Sequence, residues 1–173
     1  MRRLRYCVAA SLDGFIADPK GAYDWIVTDP AIDFAATFRE FDTFVMGRKT
    51  YEVMATGDFA GMLGKKEVIV FSRTLKSAPY PNVAIVDTAP ADTIRTLKQK
   101  PGKDIWLFGG GELFRNLVEA GVVDTVEVGV MPAILSQGIP LLAPGKQIRA
   151  MKLAATKTYP SGVVMLSYAL DSQ

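Results

Sequence analysis

Apolar positions along this chain fall either in short unbroken runs or at helical spacing. Tyr6 to Ala10 is an apolar run that stops at Ser11-Leu12-Asp13-Gly14, which predicts a buried strand opening into a loop. The loop is expected to reach about Pro30, where Thr28-Asp29-Pro30 reads as a helix start with Asp29 as cap and Pro30 in the first helical position. Phe34, Phe38 and Phe41 follow at helical spacing and predict one apolar face against a core. Thr43 to Met46 reads as a short strand ended by Gly47, with a helix over Arg48 to Met54 directly behind it. Glu67 to Phe71 and Val83 to Val86 read as strands, and Pro90 opens a helix that carries Ile94 and Leu97 and stops before Pro101-Gly102.

Asp104 to Phe108 predicts a further strand, leading through Gly109-Gly110-Gly111 into a helix with Leu113, Leu117 and Val118 that Gly121 can terminate. Strands alternating with helices imply right-handed crossovers and a mainly parallel sheet over the first two-thirds of the chain. After Asp124 the pattern changes. Thr125 to Val130, Met151 to Tyr159 and Val163 to Leu170 read as strands, the last two joined by a hairpin-like turn at Ser161-Gly162. Met131, Met151 and Met165 read as core residues. The expected architecture is one α/β domain over residues 1–173, with an antiparallel C-terminal edge.

Composition narrows what such a domain can do. The chain is 49% hydrophobic and 22% charged, which fits an ordinary globule and excludes a disordered segment. Its 20 Lys+Arg and 18 Asp+Glu leave a net charge of +2, too balanced for a footprint on nucleic acid or an anionic membrane, so a small-molecule partner is expected. The absence of histidine removes Ser-His-Asp and Cys-His triads, His-ligated zinc and any imidazole acid or base. Cys7, the single cysteine, has no partner for an intrachain disulfide, and a reducing compartment is expected. No stretch approaches the roughly 20 apolar residues of a membrane span, and the apolar run after Arg5 is too short for a signal segment. A soluble cytoplasmic protein is the resulting expectation.

Two strand-to-helix junctions combine glycine with charge. Gly47 allows close backbone approach, and Arg48, Lys49 and Thr50 occupy a first helical turn whose free amides favour an anion; a tight turn with solvated charges would read the same way. The run Gly109-Gly110-Gly111-Glu112 carries more glycine than a turn needs and reads as backbone pressed against a flat or charged ligand, without being a Gly-x-Gly-x-x-Gly fingerprint. Ser72 and Arg73 end a third strand. In parallel sheets ligands collect at the carboxyl ends of strands, so the three ends reinforce one another, and Arg48, Lys49 and Arg73 suit the ribose phosphate of NADPH.

Ala9-Ala10-Ser11-Leu12-Asp13-Gly14-Phe15-Ile16-Ala17, Met46 to Glu52, Val70 to Arg73 and Phe108 to Phe114 occur in an order and spacing that resembles the dihydrofolate reductase-like superfamily across nearly the whole chain. Ser11 to Gly14 and the stretch from Glu119 through Leu141 are similar to stand-alone relatives of the reductase domain of the bifunctional riboflavin-biosynthesis deaminase-reductase. The resemblance implies a three-layer α/β fold, an NADPH-dependent oxidoreductase and a homodimer. It also implies Ala9 and Ile16 beside the nicotinamide, Gly47, Arg48, Lys49 and Thr50 at the phosphates, and Ser72 and Arg73 on the adenosine side. Gly109, Gly110, Gly111, Glu112, Leu113 and Phe114 would cradle the pyrophosphate, with a cis peptide expected between Gly109 and Gly110.

On the substrate side the match is partial. The pterin-holding acid of dihydrofolate reductases falls at Pro30, next to Asp29, whose N-cap role is a sufficient structural reason for it, and the threonine partnering that acid is replaced by Gly129. The riboflavin branch's first-strand lysine aligns with Cys7, and its Ala-Asp-Asp-Pro motif has no counterpart near Met54 to Phe59. Asp13 reads either as a turn former with Gly14 or as a polar group at the nicotinamide edge, and Trp25 either lines the cleft or anchors its loop. The expected reaction is hydride transfer from NADPH to a small polar heterocycle or ribosylaminopyrimidine. Reduction of dihydrofolate and a non-catalytic NADPH-binding regulator are the alternatives. A zinc deaminase is excluded by the missing ligands.

Overall fold

The computed structural model describes residues 1–145 and 150–170. Ten strands and five helices follow one another as β1 (Leu4–Ser11), β2 (Phe15–Ala17), α1 (Phe34–Arg39), β3 (Phe41–Gly47), α2 (Arg48–Ala55), α3 (Phe59–Leu63), β4 (Glu67–Phe71), β5 (Val83–Val86), α4 (Pro90–Gln99), β6 (Asp104–Gly109), α5 (Gly111–Glu119), β7 (Thr125–Met131), β8 (Ile139–Pro140), β9 (Met151–Thr158) and β10 (Val164–Leu170). Eight of the strands form one sheet in the order β5-β4-β3-β6-β1-β7-β10-β9, parallel from β5 to β7 and antiparallel beyond. This is the expected α/β architecture with an antiparallel C-terminal edge.

The sheet divides two apolar clusters, because successive side chains of a strand point to opposite faces. On one face Ile94 and Leu97 of α4 and Leu113, Phe114 and Leu117 of α5 pack on Leu4, Tyr6, Val45, Ile105 and Leu107, with the rings of Tyr6 and Phe114 stacked at 3.8 Å. On the other, Phe38 of α1, Tyr51 of α2 and Leu63 of α3 cover Phe44, Met46, Val68, Val70 and Trp106. The central strands are thus buried on both sides, which is why they appear in the sequence as continuous apolar runs.

The first helix departs from expectation. Asp29 does not cap it, and Pro30 is not in its first turn. Asp33 is the N-cap and its Oδ1 accepts from the Ala36 amide at 2.8 Å, while the Asp29 carbonyl closes a turn by accepting from the Ile32 amide at 3.0 Å. The helix ends at Arg39, so Phe41 belongs to β3 and Phe34, at 49% exposure, faces solvent; only Phe38 serves the expected apolar face. The two-stranded ladder of β2 with β8 and the five-residue α3 were not expected, since elements this short carry no readable period. Met131 is buried as expected, but Met151 is a surface residue of β9, whose eight residues are all exposed. Among the described residues no helix is long and apolar enough to cross a membrane.

Candidate active site

Register brings the predicted strand ends together. Gly47 of β3 lies opposite Phe71 of β4 on one side, and Met46 lies opposite Gly109 of β6 on the other, so Gly47, Ser72 and the glycine triplet share one edge of the sheet. Two helices begin there. Gly47 caps α2 and Gly110 caps α5, and neither supplies a side-chain cap bond, which leaves first-turn amides and two positive dipole ends pointing outward. Thr50 stands between them, its Oγ1 3.4 Å from where a Cβ on Gly110 would lie.

Beside these helix starts the sheet opens. β1 pairs with β6 only from Leu4↔Ile105 to Tyr6↔Leu107, whereas it pairs with β7 as far as Ser11↔Met131. The Ile105 amide donates to the Arg3 carbonyl, so odd-numbered residues of β1 direct their main-chain groups toward β6. Past Tyr6 the two strands part. Trp106 Nε1 donates to the Cys7 carbonyl at 3.0 Å across the gap, and the main-chain groups of Ala9 are left facing it. The result is a slot at the carboxyl ends of two parallel strands.

The glycines serve different purposes. Gly109 holds a φ of +139°, and a Cβ on Gly111 would come within 2.8 Å of the Pro140 carbonyl oxygen, so these two answer to the chain's own geometry and packing. Gly110 needs neither a positive φ nor close packing and faces the junction, where a Cβ would meet only Thr50, and the Gly109-Gly110 peptide is cis as expected. The side chains of Leu113 and Phe114 are core and the Phe114 amide donates to the Gly110 carbonyl at 3.0 Å, so of the two only the Leu113 amide is left for a ligand, and Glu112 is exposed in the first turn of α5.

Arg48 is half-buried, with its Nη1 bonded to both Glu52 oxygens at 2.7 and 3.0 Å; Lys49 and Arg73 are exposed. Ser72 Oγ accepts from the Thr74 and Leu75 amides at 3.2 and 2.9 Å, so the hydroxyl folds the turn after β4 and has its proton left to donate. Ile16 lies half-buried on β2, which contacts β1 and pairs with β8.

Of the three proposed substrate residues, Asp13 lies in the turn between β1 and β2, and Trp25 and Asp29 lie in the loop between β2 and α1. Asp13 is occupied: Oδ1 accepts from Ser11 Oγ at 2.6 Å and the Leu135 amide at 3.1 Å, and Oδ2 accepts from the Ser136 amide at 2.7 Å. Those bonds, led by Ser11, hold its carboxyl below the usual aspartate range. The turn reading is the one the geometry supports, extended to a clamp on the segment after β7. Asp29 is buried and ties Oδ1 to the Ala31 amide at 2.8 Å and Oδ2 to the Ser161 amide at 3.0 Å. Hydrogen bonds from Ser161 and then Ala31 depress its pKa. Trp25 is half-buried, and its Nε1 donates to the Ala22 carbonyl at 3.3 Å within the loop.

One polar group escaped the sequence reading. Arg5 Nε and Nη2 bond both oxygens of Glu127 at 2.7 and 2.8 Å, Nη1 reaches Glu40, and the guanidinium lies 4.6 Å from the Phe41 ring centroid. Burial opposes the charge on Arg5, but Glu127 and Glu40 outweigh it and push the pKa up. Burial likewise opposes ionisation of Glu127, and Arg5 reverses the balance and lowers its pKa. Cys7 sits opposite Glu127 on the same face, and burial, reinforced by that carboxylate, raises its thiol pKa well above the usual value. The pairing of β1 with β7 brings Arg5 and Cys7 to Glu127, and no local pattern announces that pairing.

Comparison with known proteins agrees with this geometry. The chain is 32% identical to the uncharacterized protein YyaP of Bacillus subtilis over 96% of its length and 94% of that protein. It superimposes with a TM-score of 0.85 and 25% identity on a Shewanella sp. PV-4 structure named for riboflavin biosynthesis, covering 99% of each chain. With the deaminase/5-amino-6-(5-phosphoribosylamino)uracil reductase of Thermotoga maritima it shares the fold, with a TM-score of 0.73 at 15% identity, over 98% of this chain and 57% of that one. The RibD C-terminal domain matches residues 2–165, and the chain belongs to that family of reductase domains.

Proposed function

We infer that this domain is an NADPH-dependent reductase acting on a small polar heterocycle of the ribosylaminopyrimidine type. The parting of β1 from β6 beside two uncapped helix starts carries the reading, because it supplies main-chain donors and acceptors for a flat ring next to an anion site. The residues present fit a dinucleotide. First-turn amides of α2 and α5, with Thr50 between them, would hold the phosphates, and Gly110 keeps the approach open. Arg48, Lys49, Ser72 and Arg73 would take the adenosine end, where guanidinium groups favour a ribose phosphate. Ala9 and Ile16 would flank the nicotinamide.

When bound, the nicotinamide supplies the hydride. The protein's part is to orient the two rings in the slot and to exclude water with the loop bearing Trp25. Asp13 and Asp29 are both hydrogen-bonded as carboxylates, so neither is free to hand over a proton, which leaves a tyrosine or a single water held in the slot, shielded from bulk solvent, as the source. The same occupancy of both acids favours, as a second reading, a regulator that binds NADPH without turnover. Calorimetry with NADPH and NADH, together with absorbance at about 340 nm against pterins and ribosylaminouracils, separates them. Oxidation of NADPH with a ribosylaminouracil supports the reductase; tight binding without oxidation supports the regulator; no binding of either cofactor overturns both.

A further inference from the structure

The parallel ladder between β1 and β6 repeats every two residues. The Ile105 amide donates to the Arg3 carbonyl and the strands stay paired through Tyr6↔Leu107, so a continuing ladder would next join the Gly109 amide to the Cys7 carbonyl. Pairing with β1 stops short of that step, while β6 runs on along β3 to Met46↔Gly109. The Cys7 carbonyl accepts from a side chain, Trp106 Nε1, at 3.0 Å. Packing fixes this donor in place: the indole is 7% exposed, with the rings of Phe38, Phe41 and Phe44 at centroid distances of 4.9, 4.8 and 5.4 Å. An indole thus closes the ladder one step before the main-chain groups of Ala9.

We propose that Trp106 is a positioning residue: by occupying the Cys7 carbonyl it withdraws the innermost acceptor of the slot and leaves a bound ring only the main chain of Ala9 to pair with. The proposal rests on the reductase reading above. Without the indole bond the slot would offer acceptors at both Cys7 and Ala9, two residues and therefore about 6–7 Å apart along β1. A flat ring with an N–H donor could settle at either, and a slip of that size would carry its reacting atom out of reach of a second ring. With the Cys7 carbonyl engaged, a donor pushed inward would leave water and find no partner, so the inner register is disfavoured. Trp106 itself does not have to touch the ring. It acts through the carbonyl it holds.

Cys7 is the single cysteine, so cysteine labelled with carbon-13 at its carbonyl marks that group alone, and its infrared band reports the bond it accepts. The probe is NADPH at saturating concentration on the full chain. In the wild type the band is expected to stay in place when NADPH is added, with the Trp106 indole N–H protected from deuterium exchange throughout. Trp106→Phe keeps an aromatic ring in the cluster but has no N–H to give. Its band is expected to shift when NADPH is added, because the freed carbonyl now lies open to the ring; a purely structural role for the indole would not make Cys7 respond to ligand. A band that moves in the wild type, a Trp106 N–H that exchanges as fast as that of Trp25, or a band that stays in place in Trp106→Phe overturns the proposal. Should Trp106→Phe not fold, the wild-type band and indole exchange decide it. Failure of the wild type to bind NADPH would instead bring down the reductase reading, and this one with it.

Discussion

Three adjacent glycines with three different surroundings separate what the chain needs from what a ligand needs. Gly111 is pinned against the Pro140 carbonyl, so Gly111→Ala should overpack that contact and cost about 1–3 kcal/mol in chemical denaturation. Gly110→Ala meets only Thr50 Oγ1 at 3.4 Å, so the fold should tolerate it while NADPH affinity falls about tenfold, read as a smaller rise in Tm on adding cofactor. The same contrast shows what was legible. The triplet marks a special junction, but only the contact with residues 140–143, distant in sequence, reveals that one glycine is structural.

Asp29 makes the opposite point. Its place before Pro30 suggests a cap, yet its bond to the Ser161 amide spans 132 residues and could not be read locally. Because its pKa is lower in the fold than in the unfolded chain, its stabilisation is complete above the ordinary aspartate range and is lost as pH falls through the folded value. Asp29→Ala should therefore narrow the stability gap between pH 7 and about pH 3 in urea titrations, and should loosen the 18–33 loop to proteolysis. A wild-type acid profile in the variant would refute the latch.

At the scale of elements, legibility follows burial. β4 has its expected starting point because a strand buried on both faces is an unbroken apolar run, β5 because even this half-buried edge strand keeps such a run, and α4 because Pro90 marks the helix start. α1, β2, β8 and α3 span six residues or fewer and are positioned by contacts instead of by period. α5 is the strongest element, with Leu113, Phe114, Leu117 and Val118 all buried. Leu117→Ala should cost about 2–5 kcal/mol in urea unfolding, whereas Asp33→Ala, which removes a cap from a short exposed helix, should cost about 1 kcal/mol. Equal losses would mean that α1 is more tightly integrated than its packing indicates.

For the whole molecule, coverage is uneven. Helices pack on β3, β4 and β6, while β10 is half-buried along its length and the edge strand β9 is exposed throughout, with Met151 and Leu153 at 46% and 51%. An exposed, partly apolar edge invites pairing with a second copy. Light scattering at micromolar concentration is expected to give a dimer that Leu153→Lys weakens; a wild-type monomer would refute it.

The gap between β1 and β6 also makes neighbouring amides unequal clocks. The Ala10 amide belongs to the ladder with β7, while that of Ala9 faces the slot and has no strand partner there. In deuterated buffer Ala9 should exchange well ahead of Ala10, and a ligand that completes the broken ladder should slow Ala9 alone. The molecule thus carries an occupancy gauge in its own main chain, one that registers a bound ring even when no product forms.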